Sequence, residues 1–156
     1  MSLKMAKMKM HGYVTVRPFG NMTIPVPVQN LLLRNYVEQK GGNFVLPLNE
    51  HKFNNCFMQL YSTLDTVEQD GHVVLSSSNM LPENVGMRSE LGSIALKKSI
   101  SLHFVLENKV VSSEAGYNDL NESMKLLRFV DQANTSSVEF ETDLKKALKF
   151  RADYYG

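Results

Sequence analysis

The chain has 156 residues, with 17 Lys+Arg against 16 Asp+Glu for a formal net charge of +1, and is 43% hydrophobic and 21% charged. That is the make-up of one ordinary globular domain, and it excludes a disordered chain, a collagen-like chain and a coiled coil. A duplex-DNA binder usually concentrates more positive charge, because its affinity comes largely from phosphate neutralisation. The single cysteine excludes an intrachain disulfide framework and an all-cysteine metal site.

Residues 1–10 alternate lysine with methionine and lack the apolar core of a secretory signal, so they are expected to be a disordered tail. No run of about 18 apolar residues occurs, so no membrane span is expected, and a cytoplasmic location follows. His11 to Arg17 is rich in β-branched residues and predicts a first strand. The Pro- and Gly-containing stretch 18–27 predicts a loop, with Pro27 near the start of a helix that runs to about Lys40 and stops at Gly41-Gly42. Asn43 to Leu48 predicts a second strand, placed at an edge by Pro47. Asn54 or Asn55 is expected to cap a second helix whose apolar face carries Phe53, Phe57, Leu60, Tyr61 and Leu64. Cys56 falls in its first turn as an inert core thiol. His72 to Ser77 is a third strand. Pro82 and Glu83 open a third helix, and Ser99 to Leu106 is a fourth strand with His103 as a packed, hydrogen-bonded core residue. A short strand is suggested at Val110-Val111. Asn118 caps a helix bearing Leu120, Met124 and Leu127, a polar break follows at Asn134 to Ser137, and a last helix carries Phe140, Leu144, Ala147 and Leu148.

Strict alternation of short apolar strands with helices predicts an α/β fold: a three-layer, doubly wound parallel sheet of about four strands in the order 2-1-3-4. The domain is expected over 11–133, with 134–156 as a C-terminal helical extension whose apolar stripe favours a homo-oligomer.

In such a sheet ligands bind beyond the carboxyl ends of the strands, where strand order reverses. That rule selects Arg17, Gln29, Asn30 and Arg34 from the first strand and helix, Ser77, Ser78 and Asn79 after the third strand, and Glu50, His51 and Glu107 as acid–base candidates. Hydroxyls and amides beside arginines suit a sugar or phosphate ligand. Arg17 either meets an anionic ligand or is held by Glu50 or Glu107 as a structural ion pair. Neither G-x-x-x-x-G-K-S/T nor G-x-G-x-x-G occurs, and no His spacing suits a metal, so no cofactor and no metal are expected.

The layout is similar to the catalytic domain of serine recombinases, with Gly12-Tyr13 in the first strand, a long first helix and Glu107 after the fourth strand. That family's motif would place an arginine at Thr15 and the nucleophilic serine at Arg17. It would also put a basic segment over Ser76 to Asn84, where this chain has no arginine. A second resemblance covers about His11 to Gln132. It rests on Gly12-Tyr13 with Arg17-Pro18, Ile24-Pro25 leading to Val28-Gln29-Asn30, and Arg34-Asn35-Tyr36. It continues through Glu50, Asn55-Cys56, Leu60, Leu81-Pro82 with Arg88, and Leu102-His103-Phe104 ending at Glu107. On these blocks the chain resembles the bacterial sporadic carbohydrate cluster proteins. The resemblance implies a context, surface-polysaccharide biosynthesis. With the polar strand-end set, this suggests a protein that binds a sugar phosphate or nucleotide sugar, and the balanced charge argues for no nucleic-acid partner; no membrane partner is expected. The absence of a catalytic triad, metal site or cofactor loop leaves the alternative of a non-catalytic subunit or scaffold for a glycan-synthesis enzyme.

Overall fold

The computed structural model describes residues 7–135, with side chains to 126. Its elements are β1 (Lys9–Tyr13), α1 (Val26–Gln39), β2 (Asn43–Val45), α2 (Met58–Thr66), β3 (His72–Leu75), α3 (Val85–Lys97), β4 (Ser101–Phe104), β5 (Lys109–Val111) and α4 (Glu114–Thr135), with a 3-10 turn at Ser78–Met80. The sheet runs β2-β1-β3-β4-β5. The first four strands are parallel, in the expected order, and β5 joins β4 antiparallel. The chain divides after Leu120 into two compact units.

Each crossover follows from its sequence. Pro25 and Pro27 open α1, where missing N–H groups cost nothing, and Gly41 at φ 72° ends it. On the α1 face of the sheet, Met10, Val14, Leu33, Tyr36, Val37 and Val74 form one buried cluster. The pleat sends Tyr13, Leu75 and Phe104 to the opposite face, where Leu60, Leu64, Leu91 and Ala95 are buried on α2 and α3. Gly12 has no room for a side chain: a Cβ there would stand 2.8 Å from the Phe44 ring.

Several expectations shift. Lys9 and Met10 belong to β1 rather than to a tail, because Met10 is fully buried and Lys9 pairs with Asn43. The strand ladder of β1 stops at Tyr13, short of Arg17, with a single bridge from Val14 to Asn49 beyond it. The second helix begins at Met58, not at Asn54 or Asn55, and Phe53 is 75% exposed, off any buried face. The reason is its cap. No side chain at the N-cap, Phe57, serves it; instead the carboxylate of Glu50 accepts from Gln59 N at 3.1 Å and Leu60 N at 3.3 Å. Cys56 consequently lies in the preceding loop, half-buried, 3.8 Å from Glu50 Oε1. Finally, α3 starts two residues after Glu83, with Asn84 Oδ1 accepting from Met87 N, and α4 starts at Glu114, ahead of Asn118. The carbonyls at the end of α2 are capped from afar too, since Lys98 Nζ donates to Leu64 O, Asp65 O and Val67 O. The apolar stripe from Phe140 to Leu148 lies outside the described residues.

Candidate functional site

The loop after β1 is built around one amide. Gln29, on the first turn of α1, is fully buried, and its Nε2 donates to Thr15 O and Ile24 O at 2.7 Å each. Its Oε1 accepts from Thr15 N at 3.2 Å. The side chain therefore brackets both ends of the loop between β1 and α1 and has no group left for a ligand. Replacing Gln29 with Ala should cost about 2–4 kcal/mol, since two buried carbonyls and an N–H lose their partners. Urea denaturation reads the loss, and hydrogen exchange at Thr15 should rise well before exchange in β3.

Glu50 is spent in the same way. It is 3% exposed and accepts from Tyr13 Oη at 2.9 Å and His51 N at 3.0 Å as well as from the first turn of α2. Burial first, then the Glu50 carboxylate, pushes the Tyr13 phenol well up, so it stays protonated and donating; Arg17 partly offsets this. Four donors around one carboxylate make it a structural hub, while the His51 ring lies at the surface.

Beyond β3 and β4 a second hub forms. Oε1 of Glu107 accepts from Ser77 Oγ at 2.7 Å, Ser78 Oγ at 2.8 Å and Ser78 N at 2.9 Å. Ser77 Oγ in turn accepts from Asn79 N. Ser77 and Ser78 are buried, and Ser76 Oγ is buried with no partner. The serines thus fold the loop onto Glu107 rather than presenting hydroxyls.

Arg17 lies between the hubs. Alternation along the chain puts Tyr13, Thr15 and Arg17 on one side. Arg17 Nε donates to Thr15 Oγ1 at 3.3 Å, and Nη2 reaches Tyr13 Oη at 3.5 Å. Its guanidinium carbon stands 4.3 Å over the Phe57 ring. Among the described residues no carboxylate comes within ion-pair range of it, so neither Glu50 nor Glu107 is its salt-bridge partner. It opens into a crevice of about 120 Å³ lined by Thr15, Asn55, Phe57, Asn79 and, on the rim, Glu83. Asn79 is seated there by Gly20, at φ 57°, whose missing Cβ would stand 2.6 Å from the Asn79 amide nitrogen.

The structure thus brings Arg17 and Asn79 of the expected set into one crevice, with Tyr13, Asn55 and Phe57 as partners the sequence reading passed over. The i, i+2, i+4 spacing of Tyr13, Thr15 and Arg17 was the available signal for the first. Arg34 lies apart, exposed on α1 and 5.8 Å above Phe44. Asn30 carries a buried Oδ1 without a partner. Among the described residues no three His, Cys, Asp or Glu side chains converge as metal ligands, and no helix is long and apolar enough to cross a membrane.

Solved structures share this fold. The N-terminal catalytic domain of TP901-1 integrase superposes with a TM-score of 0.56 at 14% identity, over 82% of this chain and 99% of that one. A resolvase family site-specific recombinase from Streptococcus pneumoniae gives 0.58 at 14% identity, over 90% and 99%. The fold is that of serine recombinase catalytic domains. No protein-family model and no curated protein matches the chain. At this identity the likeness is one of fold, but it overturns the surface-polysaccharide reading. The solved neighbours are recombinase domains, which removes the support for a sugar phosphate or nucleotide-sugar ligand, for a glycan-enzyme scaffold and for the exclusion of nucleic acid. The whole-chain charge behind that exclusion does not decide the point, because it averages over the surface and says nothing of whether one arginine is paired.

Within the recombinase fold the differences lie at the chemistry. Where the family motif puts its nucleophilic serine after Gly-Tyr, this chain has Arg17, and where the motif has an arginine it has Thr15. A guanidinium stays protonated and cannot attack phosphorus.

Proposed function

We propose that this chain is a DNA-engaging domain of the recombinase fold that does not cut DNA, working in the cytoplasm. The observation that carries the proposal is Arg17, a cation without a carboxylate partner among the described residues, where the recombinase motif would place its nucleophile. Strand cleavage by this fold needs a hydroxyl that can reach phosphorus and leave a covalent phosphoester. Ser77 and Ser78 are buried and committed to Glu107, and the Thr15 hydroxyl is buried against Arg17. An acid–base role for Glu50 is equally disfavoured, because its lone pairs are taken by backbone donors and Tyr13. Descent from the same stock as the sporadic carbohydrate cluster proteins stays a separate proposal about ancestry, and no sugar chemistry is attached to it.

The reading is tested by incubating the full chain with supercoiled plasmid. Retarded DNA is expected, with no nicked circles and no protein–DNA adduct that survives detergent. An adduct or nicking would overturn the non-cleaving half, and failure to retard DNA at low salt would overturn the other.

A further inference from the structure

We propose that the crevice around Arg17 is a single-phosphate subsite, and that the negative charge of Glu83 on its rim holds down its affinity for the phosphate. The inference deepens the DNA reading by naming the group bound and the residues that bind it.

A half-buried guanidinium is costly to leave without an anion. Arg17 has found two oxygens, Thr15 Oγ1 at 3.3 Å and Tyr13 Oη at 3.5 Å, and both are neutral and long. The Tyr13 hydroxyl proton is already given to Glu50 at 2.9 Å, so it offers Arg17 a lone pair and no negative charge. The face of the guanidinium rests on Phe57 at 4.3 Å, which fixes its plane and leaves its edge as the donor surface. That edge meets a crevice lined by Asn55 and Asn79, whose amide N–H groups are further donors suited to phosphoryl oxygens. The 120 Å³ available holds about four waters, enough for one phosphoryl group.

Glu83 is the one acidic side chain lining the crevice, and it is exposed. Its own backbone carbonyl accepts from Arg88 Nη1 at 3.1 Å, which anchors the residue at the rim, and its carboxylate pairs with no cation among the described residues. It shares the crevice with Arg17 without pairing to it, so its negative charge opposes an incoming phosphate and lowers the affinity of the subsite.

The test is a thermal shift of the full chain in inorganic phosphate against chloride at matched ionic strength, on the wild type and three variants. The wild type should gain melting temperature with phosphate, since a ligand stabilises only the state that binds it. Arg17→Ala should lose at least tenfold in apparent affinity, Arg17→Lys should lose part of it by keeping charge without the fork, and Glu83→Gln should bind severalfold tighter. Taking each shift relative to Arg17→Ala removes the general effect of excluded salts. A phosphate shift that is unchanged in Arg17→Ala overturns the subsite. So does a Glu83→Gln variant that binds phosphate more weakly, because the Glu83 charge would then not oppose the phosphate. If Arg17→Ala does not fold, the Lys and Gln variants carry the comparison. A short duplex DNA then distinguishes the source of the phosphate. DNA affinity that falls in Arg17→Ala and is competed by phosphate assigns the subsite to the DNA backbone. A phosphate shift that depends on Arg17 while DNA binding ignores it keeps the subsite for free phosphate. Phosphate binding with no DNA binding at all removes the DNA reading and leaves the subsite standing.

Discussion

Glu50→Ala should lower the unfolding free energy by about 3–5 kcal/mol, a large part of the ~5–15 kcal/mol that holds a domain together. The carboxylate is buried and takes Tyr13 Oη and the amides of His51, Gln59 and Leu60. Truncation strands all four donors, and each buried donor left alone costs about 1–3 kcal/mol, reduced where water can enter. The start of α2 also loses the negative charge at its positive end. Glu50→Gln should recover part of the loss through its remaining oxygen, while its amide N–H groups face donors. Tyr13→Phe should cost much less, about 1 kcal/mol, because it removes one donor and leaves the cap in place. Urea unfolding with unchanged m-values measures the series. A Glu50→Ala variant within 1 kcal/mol of wild type would show that the carboxylate does not hold α2.

The second large effect is sensitivity to acid through His103. This residue is 7% exposed; its Nδ1 meets Tyr36 Oη at 2.7 Å and its Nε2 meets His72 Nδ1 at 2.9 Å. Either direction of proton donation satisfies both contacts of the neutral ring, and the Tyr36 hydroxyl can also turn to accept from a charged one. The cost of a second proton is therefore the burial of its charge beside His72. Burial, then the neighbouring His72 and Lys40, pull the His103 pKa down to about 4. Burial lowers His72 too, opposed by Glu68. The unfolded imidazole titrates near pH 6.5, so between about pH 6.5 and 4 the unfolded state binds more protons and stability falls as pH falls. The contribution is complete above pH 6.5 and gone below about pH 4, where both states are charged. Its size is on the order of 2–3 kcal/mol. Carboxylates also titrate near the lower limit, so the quantity to measure is the difference between the wild type and His103→Gln. The wild type should lose more stability than the variant between pH 7 and 4.5, and parallel pH profiles would contradict the account.

The fold was legible because its signals are local. Gly41-Gly42 stop the first helix, His72 to Leu75 and Ser101 to Phe104 are short apolar strands, and their alternation with helices leaves few topologies. The second helix ends earlier than Asp70-Gly71 suggest, at Thr66. The start of α2 was not legible, because its cap comes from Glu50, eight residues before Met58, and a local rule looks for it at Asn54 or Asn55. The strand-end rule put Arg17, Ser77, Ser78, Asn79 and Glu107 at one end of the sheet, but it could not say which way each side chain turns. Gln29 turns inward to the backbone, the serines turn to Glu107, and Arg17 turns to a ring. Those choices separate a ligand contact from a loop bracket, and they depend on partners more than ten residues away. Function was the least legible. The blocks that resemble carbohydrate-cluster proteins include Gln29, Glu50 and His103, which are largely framework in the structure, and framework residues carry no substrate chemistry.

The most direct test of the DNA-engaging, non-cleaving reading is the affinity of the full chain for a labelled duplex, followed by fluorescence anisotropy from low to physiological salt. The account predicts binding at low salt that weakens linearly in log–log form as salt rises, with a slope near −0.9 for each phosphate neutralised. Arg17→Ala should make that slope shallower by about one phosphate. No binding at low salt, or binding indifferent to salt, would contradict it.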